Sequence, residues 1–329
     1  MPRIDMSLAE LWEWRDELPE PAGLDAFWSR TLAKAAQIPL DVTMTRVETV
    51  FTTVETYDVT YAGFGGHPIK AWLHLPAAPL RGDAPLPGVV QYHGYNGGRG
   101  LPHEFTYWAQ AGYAYLVMDT RGQGSGWTVG DTPDPGAGGA PSQGGFLTRG
   151  IESPEEYFYR RVYVDAVRAV EVLRGHQGVD PTRIAVTGGS QGGGIALAAA
   201  ALSPHPIAVM PDVPFLSHFR RAVDLSPGDP YAEVARYLGA HRSRTKQAFE
   251  TLAHFDVAIL GKRASAPALF SVAMMDQTCL PSTVFAAYHA YGGQKRIQVY
   301  EFNDHEGGSI FHAGVQVAWL KALLSSLKA

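Results

Sequence analysis

Three residues have the types and the chain order to do chemistry together: Ser190, Asp276 and His305. Ser190 sits in Gly188-Gly189-Ser190-Gln191-Gly192, a G-x-S-x-G pentapeptide. A β-branched apolar run, 184–187, precedes it, and an Ala/Leu-rich run to Leu202 follows. Read as strand, sharp turn and helix, this is a nucleophile elbow. The serine of such a turn holds a strained backbone conformation, and neighbouring glycines remove the Cβ atoms that would clash there. The helix that follows aims its unsatisfied N–H groups at the place where an oxyanion would form. The pentapeptide alone also fits a glycine-rich turn with a surface serine, so its partners decide the matter.

A serine hydroxyl needs a base to remove its proton, and the base needs an acid to orient it. After an elbow of this kind the expected order is serine, acid, histidine, with each partner just past a late strand. Residues 268–276 read as a strand ending in Asp276, and 297–305 as the next strand ending in His305. Among the rivals, Asp304 is adjacent to His305 and cannot easily bend back to its ring. Asp212 follows the strand after the elbow and stays open as an alternative or supporting acid. Asp256 suits a helix cap. His93 precedes the elbow, and His312 lies inside the last helix. The oxyanion would be met by the Gln191 N–H and by one from His93-Gly94-Tyr95-Asn96-Gly97-Gly98, with Tyr95 the chosen donor. The other reading of that loop is a simple turn.

These residues need a sheet to hold them. Strands are expected at 42–52, 56–61 and 69–75, antiparallel and at one sheet edge, with a turn at 63–66. Strands at 87–92, 113–118, 207–210, 268–273 and 297–302 then alternate with helices at 104–111, 157–174, 282–291 and 309–327. That alternation implies an α/β-hydrolase fold, a mostly parallel central sheet with helices on both faces. Residues 1–40 read as an N-terminal helical extension, opened by a capping box at Ser7 and Glu10, within a single domain over 1–329. Residues 215–255, with helices at 231–238 and 242–254, read as a cap-like insertion over the strand ends, where ligands of such sheets bind. The glycine- and proline-rich stretch 124–150 is too long for an ordinary connection and reads as a functional loop or an assembly surface.

Hydrophobic residues at 46% and charged ones at 18% of 329 residues place the chain among globular proteins. A net charge of −5 and no basic stripe argue against nucleic acid as a partner. The one cysteine, Cys279, excludes an internal disulfide framework and a Cys-based zinc cluster. No apolar run approaches about 18 residues, and the N-terminus has no apolar signal core, so no membrane contact and a cytoplasmic location are expected. No H-E-x-x-H, P-loop or dinucleotide fingerprint is present in the required context, so neither metal nor cofactor is expected.

Arg121-Gly122-Gln123, Gly188-x-Ser190-Gln191-Gly192 and His305-Glu306 together resemble the signatures of the cephalosporin C deacetylase/acetyl xylan esterase family, carbohydrate esterase family seven. His93-Gly94-Tyr95-Asn96, Phe146-Leu147-Thr148-Arg149-Gly150-Ile151, 159–165 and 281–288 are similar as well, so the likeness covers nearly the whole chain. The resemblance implies deacetylation of small acetylated sugars and of cephalosporin C. Ser190, Asp276 and His305 would form the triad, with oxyanion amides from Tyr95 and Gln191. It also implies a homo-oligomer, a doughnut-like hexamer whose sites face an inner cavity. Arg121, Gln123 and Glu306 are expected as structural residues near the site, Arg121 tying loops together and Glu306 accepting hydrogen bonds in the same network. One departure stands out: Glu306-Gly307-Gly308-Ser309 has glycine where a bulkier residue is expected, which implies a wider or more mobile rim. A serine hydrolase of the same fold acting on other short-chain esters or peptides is the alternative, since cap and loops choose the substrate. A non-catalytic binding protein that kept the fold is disfavoured by the complete set of three residues.

Overall fold

In the computed structural model, which describes residues 3–135 and 142–327, the chain opens with α1 (Leu8–Glu13) and α2 (Leu24–Ala36). Ser7 and Glu10 form the expected capping box. The two helices turn aromatic rings onto the rest of the molecule: Trp12 meets Phe285 edge-on, and Phe27 and Trp28 meet Phe255.

Strands β1 (Thr43–Val47), β2 (Val54–Ala62) and β3 (Pro68–Pro76) are antiparallel, as their alternating patterns predict. Next come β4 (Leu86–Tyr92), α3 (Tyr107–Gln110), β5 (Ala114–Met118), α4 (Phe158–Arg174), β6 (Val179–Gly189), α5 (Gln191–Leu202) and β7 (Pro206–Asp212). Between β7 and β8 (Ala268–Ala273) lie α6 (Phe219–Leu225), α7 (Tyr231–Ala240), α8 (Thr245–Ala253) and α9 (Val257–Leu260). The chain closes with α10 (Pro281–Ala290), β9 (Lys295–Tyr300) and α11 (Ser309–Ser326).

The strands form one nine-stranded sheet in the order β1-β2-β3-β5-β4-β6-β7-β8-β9. β3 pairs antiparallel with β5, and every pairing from β5 to β9 is parallel. Parallel strands must be covered on both faces, which is why β5 is buried at every residue and reads as a continuous apolar run. On one face α4, α5, α9 and α10 pack over Val90, Leu116 and Val186. On the other, Trp108 of α3 and Leu320 and Leu324 of α11 pack over Val89, Val117 and Ala185. Burying each such large apolar side chain contributes about 1.5–3 kcal/mol. This is the α/β-hydrolase architecture. It brings the C-terminal ends of β4, β6, β7, β8 and β9 to one edge, with His93, Ser190, Asp212, Asp276 and His305 just beyond or at them.

Two expectations are corrected. The helix expected at 104–111 is only the single turn of α3, because the Glu104 carboxylate accepts from Leu101 N–H and closes a turn ahead of it. The segment after β7 holds two short helices, α6 and α9, that its sequence did not announce. Asp256 caps α9, accepting from Ala258 N–H, and also accepts from His218 and Phe219 N–H.

Candidate active site

The elbow has the strain its sequence implies. Ser190 has φ 56° and ψ −120°, a conformation L residues rarely take. Its N–H donates to Asp212 O at 2.9 Å, and its O accepts from Phe215 N–H at 2.9 Å, so the end of β7 and the segment just after it hold the turn in place. Glycine is required on both sides. A Cβ at Gly188 would land on the Gly192 backbone, and one at Gly192 on the Tyr92 carbonyl. The first ten residues of α5, Gln191 to Ala200, are all buried, which explains its run of Gly and Ala.

His305 reaches the serine from the loop after β9. Its Nε2 lies 3.0 Å from Ser190 Oγ, and its Nδ1 lies 2.9 Å from Asp276 Oδ2. Asp276 is fixed by its own turn: Oδ1 accepts from Thr278 N–H at 2.8 Å and Cys279 N–H at 2.9 Å, which leaves Oδ2 for the ring. Met274 and Met275 N–H donate to Tyr300 and Asn303 O, locking the acid-bearing and histidine-bearing loops together. Such a chain of carboxylate, imidazole and hydroxyl can draw a proton off the serine.

Cys279 is a neighbour the sequence reading passed over. Its buried Sγ lies 3.9 Å from Ser190 Oγ. Burial disfavours a charged His305 ring, but the Cys279 sulfur and the Asp276 carboxylate outweigh it and raise its pKa above the ordinary value. The sulfur acts this way only as thiolate, and burial pushes the Cys279 thiol up. The Asp276 carboxylate, 2.9 Å from Nδ1, is therefore the partner that holds the ring proton. Asp276, Cys279 and His305 also bring potential metal-ligand atoms within 4.8 Å of one another, the group among the described residues that could hold an ion.

The rival residues are engaged with other partners. Asp212 Oδ1 sits 2.8 Å from His312 Nε2 and accepts from Gln316 Nε2 at 2.9 Å. His312 Nδ1 meets the Tyr300 hydroxyl at 2.8 Å. The buried His93 ring packs on Phe105 and Trp127.

Gln191 is tied to the loop that carries Tyr95 through one hydrogen-bonded frame. Gln191 opens α5, so its N–H belongs to the first turn and has no intrahelical acceptor. Its side chain is fully engaged: Oε1 accepts from Gln123 Nε2 at 2.8 Å and Tyr159 OH at 2.7 Å, and Nε2 donates to His93 O at 3.1 Å. Gln123 Oε1 in turn accepts from Asn96 N–H at 2.8 Å. The two glutamines thereby grip the loop on either side of Tyr95. The Tyr95 hydroxyl donates to Glu233 of α7 at 2.7 Å and accepts from Phe146 N–H at 2.8 Å.

Arg121 is fully buried and ties loops together as expected. It forms a two-pronged pair with Asp165 of α4, at 2.6 and 2.8 Å, and lies 3.5 Å from Asp134. Glu306 departs from its expected place in that network. It is exposed and accepts from Asn303 Nδ2 at 2.6 Å and Asp304 N–H at 3.0 Å, bracing the His305 loop from within. The glycines after it are required by the backbone. Gly307 and Gly308 have φ of 55° and 90°, and a Cβ there would meet Val213 or the Tyr300 ring.

Ser190 and His305 open into a cleft of about 630 Å³, within the range of small-molecule sites. Its wall includes Tyr95, Trp127, Asp229, Pro230, Glu233 and Glu306. Trp127, from the loop after β5, donates Nε1–H to Tyr95 O at 3.0 Å. Residues 136–141 of that loop lie outside the described residues. Among the described residues no helix is long and apolar enough to cross a membrane.

The family model described as acetyl xylan esterase (AXE1) matches residues 1–323. The acetyl esterase Axe7A of Xylanibacter ruminicola is 26% identical over 306 residues, covering 92% of this chain and 67% of that protein. The solved acetyl xylan esterase from Paenibacillus sp. R4 is 37% identical, with a TM-score of 0.88 over 96% of this chain and 99% of its own. Acetyl xylan esterase 1 from Thermoanaerobacterium sp. JW/SL YS485 is 30% identical, with a TM-score of 0.86 and the same coverage of 96% and 99%.

Proposed function

The chain belongs to the acetyl xylan esterase family and is a carboxylic ester hydrolase, and from that premise we propose that it deacetylates small acetylated carbohydrates through an acetyl-enzyme. Acetylated xylo-oligosaccharides are the central substrates of this reading, with cephalosporin C-type acetate esters beside them. The observation that carries it is the continuous contact from Asp276 through His305 to Ser190, at 2.9 and 3.0 Å.

In the first step His305 takes the proton of Ser190 Oγ as the oxygen attacks the acetyl carbonyl carbon. The tetrahedral oxyanion accepts from the Tyr95 and Gln191 N–H groups, and losing one such donor costs roughly 3–4 kcal/mol of barrier. Collapse breaks the ester bond, and the departing alkoxide takes the proton from His305. Water then gives a proton to His305 and attacks the acetyl-enzyme, and release of acetate returns the proton to Ser190. Asp276 orients the ring throughout. Residues 215–255 act as a cap in this reading, supplying Asp229 and Glu233 to the cleft wall. The homo-oligomeric, hexameric and cytoplasmic state implied by resemblance is part of the same proposal, and its molecular mass in solution tests the assembly.

Ser190→Ala should abolish turnover of 4-nitrophenyl acetate and of acetylated xylo-oligosaccharides while leaving the thermal unfolding curve intact. A fluorophosphonate should label the unmodified protein once, at Ser190. Retained turnover in the variant, or labelling elsewhere, would sink the assignment.

A further inference from the structure

The cleft that opens on Ser190 is lopsided in charge. Asp212, Asp229, Glu233 and Glu306 line it, and among the described lining residues there is no lysine or arginine. The stretch 136–141 is Gly-Ala-Gly-Gly-Ala-Pro and carries no charge of its own. His93 in the same wall stays neutral, since burial pushes it down to about 3. His305 is backed by Asp276, so its charged form only offsets that carboxylate.

Asp212 faces the His312 ring at 2.8 Å and accepts from the Gln316 amide, so the excess rests on the other three carboxylates, whose partners leave most of their charge in place. Glu233 receives the Tyr95 hydroxyl and the Gly145 N–H, both neutral donors. Glu306 receives the Asn303 amide and the Asp304 N–H, also neutral. Asp229 meets Arg236 at 2.6 Å, but both side chains are more than half exposed, where water and salt weaken the pair. The uncharged part of the wall includes Trp127, more than half exposed, whose Nε1–H is already committed to Tyr95 O. Carboxylates can accept hydrogen bonds from the hydroxyls of a neutral ring, but they repel a second carboxylate. A cleft lined by one sign of charge between low-dielectric walls concentrates that repulsion.

Taking the cleft as the ester-hydrolysing site, we propose that it selects acetate esters by charge, accepting neutral alcohol portions and holding back those that carry a carboxylate. Neutral acetylated sugars are then preferred, and acidic ones, whether uronate-bearing oligosaccharides or cephalosporin C-type acids, are the poorer substrates.

The test uses 3-(4-acetoxyphenyl)propanoic acid and its methyl ester, whose phenolate leaving groups are insulated from the distant charge. In 10 mM salt the acid should show a kcat/KM about tenfold or more below the methyl ester. The gap should close in 1 M salt, where the Debye length falls from about 30 Å to about 3 Å. In Asp229→Asn/Glu306→Gln the low-salt gap should narrow through faster turnover of the acid. Equal rates on both esters at low salt, or a gap that salt leaves untouched, would overturn charge selection while leaving the esterase reading standing. Turnover of neither ester would overturn that reading, and charge selection with it.

Discussion

The proposed chemistry at Ser190 depends on where one proton sits. His305 can act as base only when its ring is neutral, and the Asp276 carboxylate at 2.9 Å favours the charged ring. Its pKa is raised above the ordinary imidazole value. Activity should therefore fall as pH drops through a His305 pKa that lies above that value, so the acid limb of kcat/KM is displaced toward alkaline pH. Asp276→Asn removes the anion. The limb should then move to lower pH, while kcat falls by something on the order of 10⁴-fold because the ring loses its tautomer and orientation. Cys279→Ala should leave the limb where it is, since burial keeps that thiol protonated and uncharged. A pH–rate profile of the three proteins on 4-nitrophenyl acetate decides the point. If the limb follows Cys279 and ignores Asp276, the sulfur is the controlling anion and this account of the ring fails.

Among the elements, the contact between α7 and the loop after β4 carries the most consequence. Glu233 of α7 accepts from the Tyr95 hydroxyl at 2.7 Å and from Gly145 N–H at 2.9 Å, across 138 and 88 residues of chain. It is a positioning residue: it holds Tyr95, which lines the cleft. Glu233→Ala should lower kcat for 4-nitrophenyl acetate roughly 10–100-fold with little change in KM, the size expected when a reacting geometry slips by about an ångström. Glu233→Gln keeps an acceptor for the hydroxyl and should restore most of the rate. Adding Tyr95→Phe to Glu233→Ala should cost little more, because both remove one interaction. Full additivity would show that Glu233 acts elsewhere. The same contact shows what the sequence could reveal. β4, β6 and β8 were legible as largely apolar runs and β9 as one that alternates Ile297 and Val299 with polar residues, and Ser190, Asp276 and His305 were legible because each follows such a strand. Glu233, Trp127 and Cys279 were not, because their importance lies in contacts made only once distant segments fold together. Helices α6 and α9 are too short for a 3.6-residue period to show, and Glu306 was misplaced because nothing local distinguishes Asn303 from Arg121 as its partner.

For the whole molecule, Arg121 shows how the site's framework is fastened to the body. Its guanidinium is fully buried and joins the end of β5 to Asp165 on α4, while Asp165 Oδ1 also accepts from Phe64 N–H at 2.8 Å in the turn between β2 and β3. Antiparallel edge, parallel centre and covering helix therefore meet at one buried ion pair. Asp134 has two other cations nearby, Arg161 at 2.7 Å and Arg149 at 3.8 Å, so it survives the loss of Arg121 better than Asp165 does. Arg121→Met would leave Asp165 as a buried charge with no cation, a change that typically costs about 3–5 kcal/mol. At roughly 2–4 °C per kcal/mol for a large domain, Tm should fall by about 6–20 °C. Arg121→Lys keeps the charge but loses the planar two-pronged fit, so it should fall between the two. Two residues further on, Gln123 grips the loop around Tyr95, but Arg121 touches none of the reacting groups. Specific activity measured well below the new Tm should therefore stay within a few-fold of the unmodified protein. Calorimetry alongside initial rates separates the cases: an unchanged Tm with activity gone would place Arg121 in the chemistry and refute the role of a fastener.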